Sequence, residues 1–144
     1  MLRWTISNDP CTPSTSDVTI TVNAQPTTSN AGSPQTICTV DSAILAANTP
    51  TVGSGVWSII SGPSTSTAQF ISTTDPGTTF TPAGGVGDYV LQWTISNAPC
   101  TPSSSTVTIT VIQTPATPDA ISGPITANPS TGGLVYNISA VTYA

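Results

Sequence analysis

A segment near the start of the chain returns almost unchanged near its end, and this repeat constrains the fold more than any other feature. Trp4-Thr-Ile-Ser-Asn-Asp-Pro-Cys-Thr-Pro-Ser-Thr-Ser-Asp-Val-Thr-Ile-Thr-Val22 recurs as Trp93-Thr-Ile-Ser-Asn-Ala-Pro-Cys-Thr-Pro-Ser-Ser-Ser-Thr-Val-Thr-Ile-Thr-Val111, 89 residues later. A period of that length is too long for a solenoid unit and matches one small β-sandwich, so the chain reads as a stretch of a domain array in which each domain has its own core. Its 144 residues leave room for one complete domain and parts of others. The register places the last two strands of a truncated module in residues 1–23 and a complete module in 24–113. A Pro-spaced link and the opening strands of a further module follow in 114–144.

Inside the complete module, strand signals come at sandwich spacing: 35–39, 42–47, 56–60, 69–72, 78–81, 89–95 and 107–111. Tyr89, Leu91, Trp93 and Ile95 share one face at a period of two, as do Val107, Ile109 and Val111, with Thr106, Thr108 and Thr110 opposite. The apolar faces are expected to meet in the core, with Trp57 and Trp93 inside it rather than serving as sugar-stacking platforms. Trp4, the counterpart of Trp93, inherits the same expectation. Between the strands lie Gly53-Ser-Gly55, Ser61-Gly-Pro63, Asp75-Pro-Gly77 and Gly84-Gly-Val-Gly87, turn chemistries that stop strands. The expected class is all-β, with no helix.

Charge excludes several partners. Only 5% of residues are charged, the single base is Arg3, and the net charge is −5. A polyanion needs a field of Lys and Arg to release its counterions, so nucleic acid is not an expected partner. An anionic membrane surface repels the chain for the same reason, and no apolar run approaches a bilayer span, so no membrane insertion is expected.

Catalysis lacks its usual reagents, because His, Glu and Lys are absent. The many Ser residues have no base to activate them, and the six Asp are scattered among turns and strand ends, where they read as solvated caps. The chain is therefore read as no enzyme, with no catalytic, cofactor-binding or metal residues and no cofactor. Asp41, Asp75 and Asp88 are the candidate oxygen ligands for calcium, but no D-x-D-x-D-G loop accompanies them.

Several segments resemble a known family. Asn30-Ala-Gly-Ser-Pro-Gln-Thr-Ile-Cys38, Gly55-Val-Trp-Ser-Ile-Ile-Ser-Gly-Pro63, Thr79-Phe-Thr-Pro82 and Gly87-Asp-Tyr-Val-Leu-Gln-Trp93 running on to Cys100 span the middle module. They are similar to the immunoglobulin-like and PKD-like repeats of very large cell-surface proteins, gliding-motility adhesins among them, of Bacteroidetes-type bacteria. The tail, with Pro118-Asp-Ala-Ile-Ser-Gly-Pro124 and Leu134-Val-Tyr-Asn-Ile-Ser139, looks like a second repeat type of the same proteins. That type often carries a cysteine near Ala127, and this chain does not. The resemblance implies immunoglobulin-like β-sandwich modules in tandem, one complete and flanked by two partial ones.

The repeat also makes Cys11 and Cys100 equivalent, while Cys38 lies early in the complete module. A Cys38–Cys100 disulfide is the expectation, with the partner of Cys11 outside the chain; three free, buried thiols are the alternative. Closing that loop of about 62 residues would stabilise the module by roughly 4 kcal/mol in the chain-entropy model. Repeated cysteines in a Thr-rich, Lys-free chain fit an oxidising compartment, hence a secreted, extracellular or cell-surface location.

The functional expectation is a non-catalytic structural or adhesive repeat that extends a filament or presents weak multivalent contacts. Its partners are neighbouring modules of the same chain and a surface polysaccharide or protein ligand. One alternative is a carbohydrate-binding or spacer module appended to a secreted hydrolase. Another is a fibre subunit that self-assembles by strand complementation through its incomplete terminal modules.

Overall fold

The structure, a computed structural model, describes residues 1–126, 128, 130 and 132–139. Ala127, where the resemblance raised the missing cysteine, lies outside the described residues, as does part of the expected third module. The chain is almost wholly β: β1 Leu2–Asn8, β2 Cys11–Val18, β3 Gln35–Cys38, β4 Ala43–Ile44, β5 Ser54–Ser61, β6 Thr79–Phe80, β7 Gly87–Ser96 and β8 Ser103–Ile112.

The two long alternating segments form the centre. β7 and β8 pair antiparallel with Tyr89 opposite Ile109 and Leu91 opposite Val107, so the apolar faces of both strands fall on one side of the sheet. The four-stranded sheet has the order β3-β8-β7-β5, with β3 parallel to β8 and the other pairs antiparallel. A two-stranded sheet, β4-β6, pairs Ala43 with Phe80. Side chains from both sheets make one core whose fully buried members include Trp57, Trp93, Tyr89, Phe80 and Leu91. Each such side chain contributes roughly 1.5–3 kcal/mol through the apolar surface it removes from water.

Aromatic rings connect the layers. Trp57 lies 5.1 Å from Trp93 and stacks on Phe70 at 6.2 Å, and Phe80 meets Tyr89 edge-on at 5.4 Å. Their polar ends are satisfied by backbone: Trp57 Nε1 donates to the Asp75 carbonyl (3.1 Å) and Trp93 Nε1 to that of Asn48 (3.2 Å). The Tyr89 hydroxyl accepts from Gly84 N (2.9 Å) and donates to the Gly85 carbonyl (3.2 Å), pinning the glycine turn ahead of β7.

The strand expected over 69–72 is instead a single 3-10 turn, Thr67–Gln69, followed by an isolated bridge from Phe70 to Phe80. The Gln69 side chain explains the difference. It is buried, its amide nitrogen donates to the carbonyls of Ser64 (3.1 Å) and Ser66 (2.9 Å), and its oxygen accepts from Ala83 N (2.7 Å). A polar side chain so bonded gathers the loop around itself, and the pairing with 79–81 is confined to the Phe70–Phe80 bridge, with Ile71 N donating to the Thr79 carbonyl (3.1 Å) and Thr81 N to that of Gln69 (2.8 Å). The strand expected over 42–47 shortens to Ala43–Ile44, although Leu45 N and Ala47 N still reach the carbonyls of Thr78 (2.9 Å) and Pro76 (3.1 Å).

The amino-terminal hairpin reproduces the β7–β8 register. Leu2, Trp4 and Ile6 oppose Val18, Ser16 and Ser14, as Leu91, Trp93 and Ile95, 89 residues on, oppose Val107, Ser105 and Ser103. Asp9–Pro10 and Ala98–Pro99, at equivalent places in the two turns, are both cis. Burial is where the copies part. Trp93 is wholly buried whereas Trp4 is 71% exposed, so the expectation of a core position for Trp4 is corrected. No second sheet covers the hairpin among the described residues, so the alternation that buries Trp93 has nothing to bury Trp4 against. In the tail, Ser122 and Asn137 form an isolated antiparallel bridge and the Tyr136 hydroxyl donates to the Pro124 carbonyl (3.1 Å).

Candidate functional site

The two cysteines of the central unit, Cys38 and Cys100, lie at its opposite poles. The chain enters beside the β7–β8 turn. There Cys100 N donates to the Asn97 carbonyl (2.9 Å), and Asn97 Nδ2 donates to the carbonyl of Ala24 (2.8 Å). The Cys100 thiol faces the same incoming segment, 3.4 Å from the Ala24 oxygen and 3.7 Å from that of Asn23. Ser29 then ties the segment to the sheet: its N–H donates to Ser103 Oγ (2.9 Å) and its hydroxyl to the Trp93 carbonyl (2.6 Å). Sequence reasoning missed Asn97 and Ser29. Asn97 had a signal, since it recurs as Asn8; Ser29 is one of many serines and had none.

The chain leaves at the opposite pole. Cys38 ends β3 as the neighbour of Ile112, the last residue of β8, and Thr39 N donates to the Ile112 carbonyl (3.0 Å). Asp41 closes the turn after Cys38, its carboxylate accepting from Cys38 N (3.3 Å).

These placements overturn the expected Cys38–Cys100 disulfide. Cys38 sits at the Ile112 end of β8 and Cys100 just before its Ser103 end. Nine residue steps of strand separate those ends by about 30 Å. A disulfide needs Cα atoms within about 7 Å. All three cysteines are free thiols; Cys11 is exposed, and Cys38 and Cys100 are half-buried. Cys38 lies early in the unit and Cys100 late, but β3 aligns with the last four residues of β8, which sets the two at opposite poles.

The three carboxylates weighed for calcium are separately engaged. Asp41 is in the turn just described, Asp75 Oδ1 accepts from Gly77 N (2.9 Å), and Asp88 Oδ1 accepts from the Thr110 hydroxyl (2.7 Å). Among the described residues no group of three or more His, Cys, Asp or Glu is placed to hold a metal ion. No described helix is long and apolar enough to cross a membrane. The rings of Trp57 and Trp93 lie in the core, and the exposed aromatics among the described residues are Trp4 and Tyr136.

A shallow groove of about 390 Å³ runs along the hairpin, lined by Leu2, Arg3, Trp4, Ser16, Asp17 and Val18. Its apolar members are the counterparts of Leu91, Trp93 and Val107, so the groove corresponds to what is core in the β7–β8 pair. Beside it Arg3 and Asp17 form a cross-strand bidentate pair, Nε to Oδ1 at 2.7 Å and Nη2 to Oδ2 at 2.8 Å. The hydrogen bonds from Arg3 hold the Asp17 carboxyl below its ordinary value. A depressed carboxyl favours the folded hairpin above the ordinary aspartate range, and that contribution fades as pH falls through the folded value. Titration of the Asp17 carboxyl by NMR is expected to give a midpoint below that of a free aspartate, and Arg3→Gln is expected to restore the ordinary one.

No family model matches the chain, and no curated protein matches it.

Proposed function

We propose that the chain is part of a tandem array of immunoglobulin-like modules in a secreted or cell-surface protein, where each module is a non-catalytic link that lengthens a filament. The observation that carries this reading is the position of the module's ends: the chain arrives at Ala24 beside the β7–β8 turn and departs after Ile112 at the far pole. A unit entered at one pole and left at the other adds its length with each repeat, whereas a unit with adjacent ends would fold the array back on itself. Weak contacts along such a filament combine into avidity when several engage together.

The immunoglobulin-like part of the reading rests on three features. The neighbours β5-β7-β8 take the places of the C, F and G strands of such a sandwich, with β4-β6 facing them. Trp57 is the buried tryptophan on the strand in the C position. Tyr89, near the start of the strand in the F position, bonds through its hydroxyl to the backbone a few residues upstream, as the tyrosine corner of that fold does. Leu91, two residues later, stands where antibody domains carry a core cysteine, so hydrophobic packing replaces the inter-sheet bridge.

Small-angle scattering of chains lengthened by one and two extra copies of residues 24–112 after Ile112 tests the filament. The maximum dimension is expected to grow by a constant increment of about 30–40 Å per copy, close to one strand length plus its turns. Growth that falls off with copy number, as in a compact cluster, contradicts the reading.

A further inference from the structure

Cys38 and Cys100 lie at opposite poles, and each thiol lies at the pole where a neighbouring module attaches. The 89-residue offset turns this into a specific contact. Ile112 is the lateral partner of Cys38, and the residue equivalent to Ile112 in the preceding module is Asn23. The Cys100 sulfur lies 3.7 Å from the carbonyl oxygen of that same Asn23. A preceding module that repeats Cys38 therefore carries it one strand spacing, about 4.8 Å, to the side of Asn23. The two cysteines would then both border the Asn23 backbone, one laterally and the other through its sulfur, which places them at the same joint.

We propose that consecutive modules are stapled by a disulfide across their junction, from the Cys38 position of one module to the Cys100 position of the next. The proposal rests on the tandem reading. It assigns both half-buried thiols of the complete module, and it places Cys11 as the acceptor for a module further upstream. Formation joins the two sulfurs and removes two protons and two electrons. A disulfide oxidant of the glutathione class takes these up and is reduced to two thiols. The bridge would link the exit of one sandwich to the incoming side of the next, limiting bending at the joint.

The test extends the whole chain by placing a copy of residues 24–90 directly ahead of Leu2, which completes the truncated module in the register of the repeat. One version keeps only the copied Cys38 and the original Cys100, with Ser at the other cysteines; a second keeps only Cys11 and the original Cys38, at the outer poles. Both are exposed to oxidised glutathione and mapped without reduction. The first is expected to lose two hydrogens in mass and yield the joined Cys38–Cys100 peptide as its main product, while the second stays reduced within the chain. Free thiols in the first version, or an intrachain bridge in the second, overturn the proposal. Scattering separates the two levels of the account. An extended two-module particle with free thiols removes the staple alone, and a particle no longer than the original chain removes the tandem reading and the staple with it.

Discussion

Replacing Trp93 by alanine is expected to destabilise the central module by about 3–5 kcal/mol, a large share of what a domain of this size has. The side chain is fully buried, packs 5.1 Å from Trp57, and donates its indole N–H to the Asn48 carbonyl. Its removal leaves both a cavity and an acceptor without its donor, and the two costs have different origins in packing and in desolvation. Trp4→Ala is the internal control. The local sequence and strand register are the same, but the residue is 71% exposed, so the change is expected to fall within about 0.5 kcal/mol. Urea unfolding of the two variants, followed by the remaining tryptophan fluorescence, measures both. Equal effects would mean that Trp93 is not the keystone its burial indicates.

Gly55→Ala is expected to cost about 2–3 kcal/mol, at the upper end of what overpacking a core does. A Cβ at Gly55 would run into the six-membered ring of Trp93, whose Cη2 and Cε2 would lie 2.5 and 2.7 Å away. Gly55 stands opposite Ile95, so the ring of Trp93 crosses over the glycine of the neighbouring strand and occupies the space a side chain would fill. The two substitutions are therefore coupled. In the Trp93→Ala background the cost of Gly55→Ala should largely vanish, a departure from additivity that a double-mutant cycle reads directly. A cost that persists undiminished would place the strain in the backbone rather than against the ring.

Much of the central sheet is legible in the sequence because its signal is local. Tyr89, Leu91, Trp93 and Ile95, and Val107, Ile109 and Val111 across from them, are buried as their alternation requires. What was not legible depends on partners distant in the chain. Nothing in Gln35–Cys38 says that it pairs with the last four residues of β8, Ile109–Ile112, and that register sends Cys38 to the pole opposite Cys100. Gln69 sits in a segment that looks like a strand, and only its bonds to Ser64, Ser66 and Ala83 make it the centre of a loop. Trp4 and Trp93 make the point most sharply: near-identical sequence yields the same hairpin twice, and the layer packed against it decides which copy has a core.

That difference also supplies the most direct test of the tandem reading. Amide hydrogen exchange of β1 and β2 is measured in the original chain and in the chain extended by a copy of residues 24–90 ahead of Leu2. If the hairpin is the closing pair of a sandwich, the added strands cover Leu2, Trp4, Ile6 and Val18. Protection at β1 and β2 should then rise from the low level of an uncovered hairpin to that of β7 and β8. Exchange in β1 and β2 that remains as fast after the extension as before would contradict it.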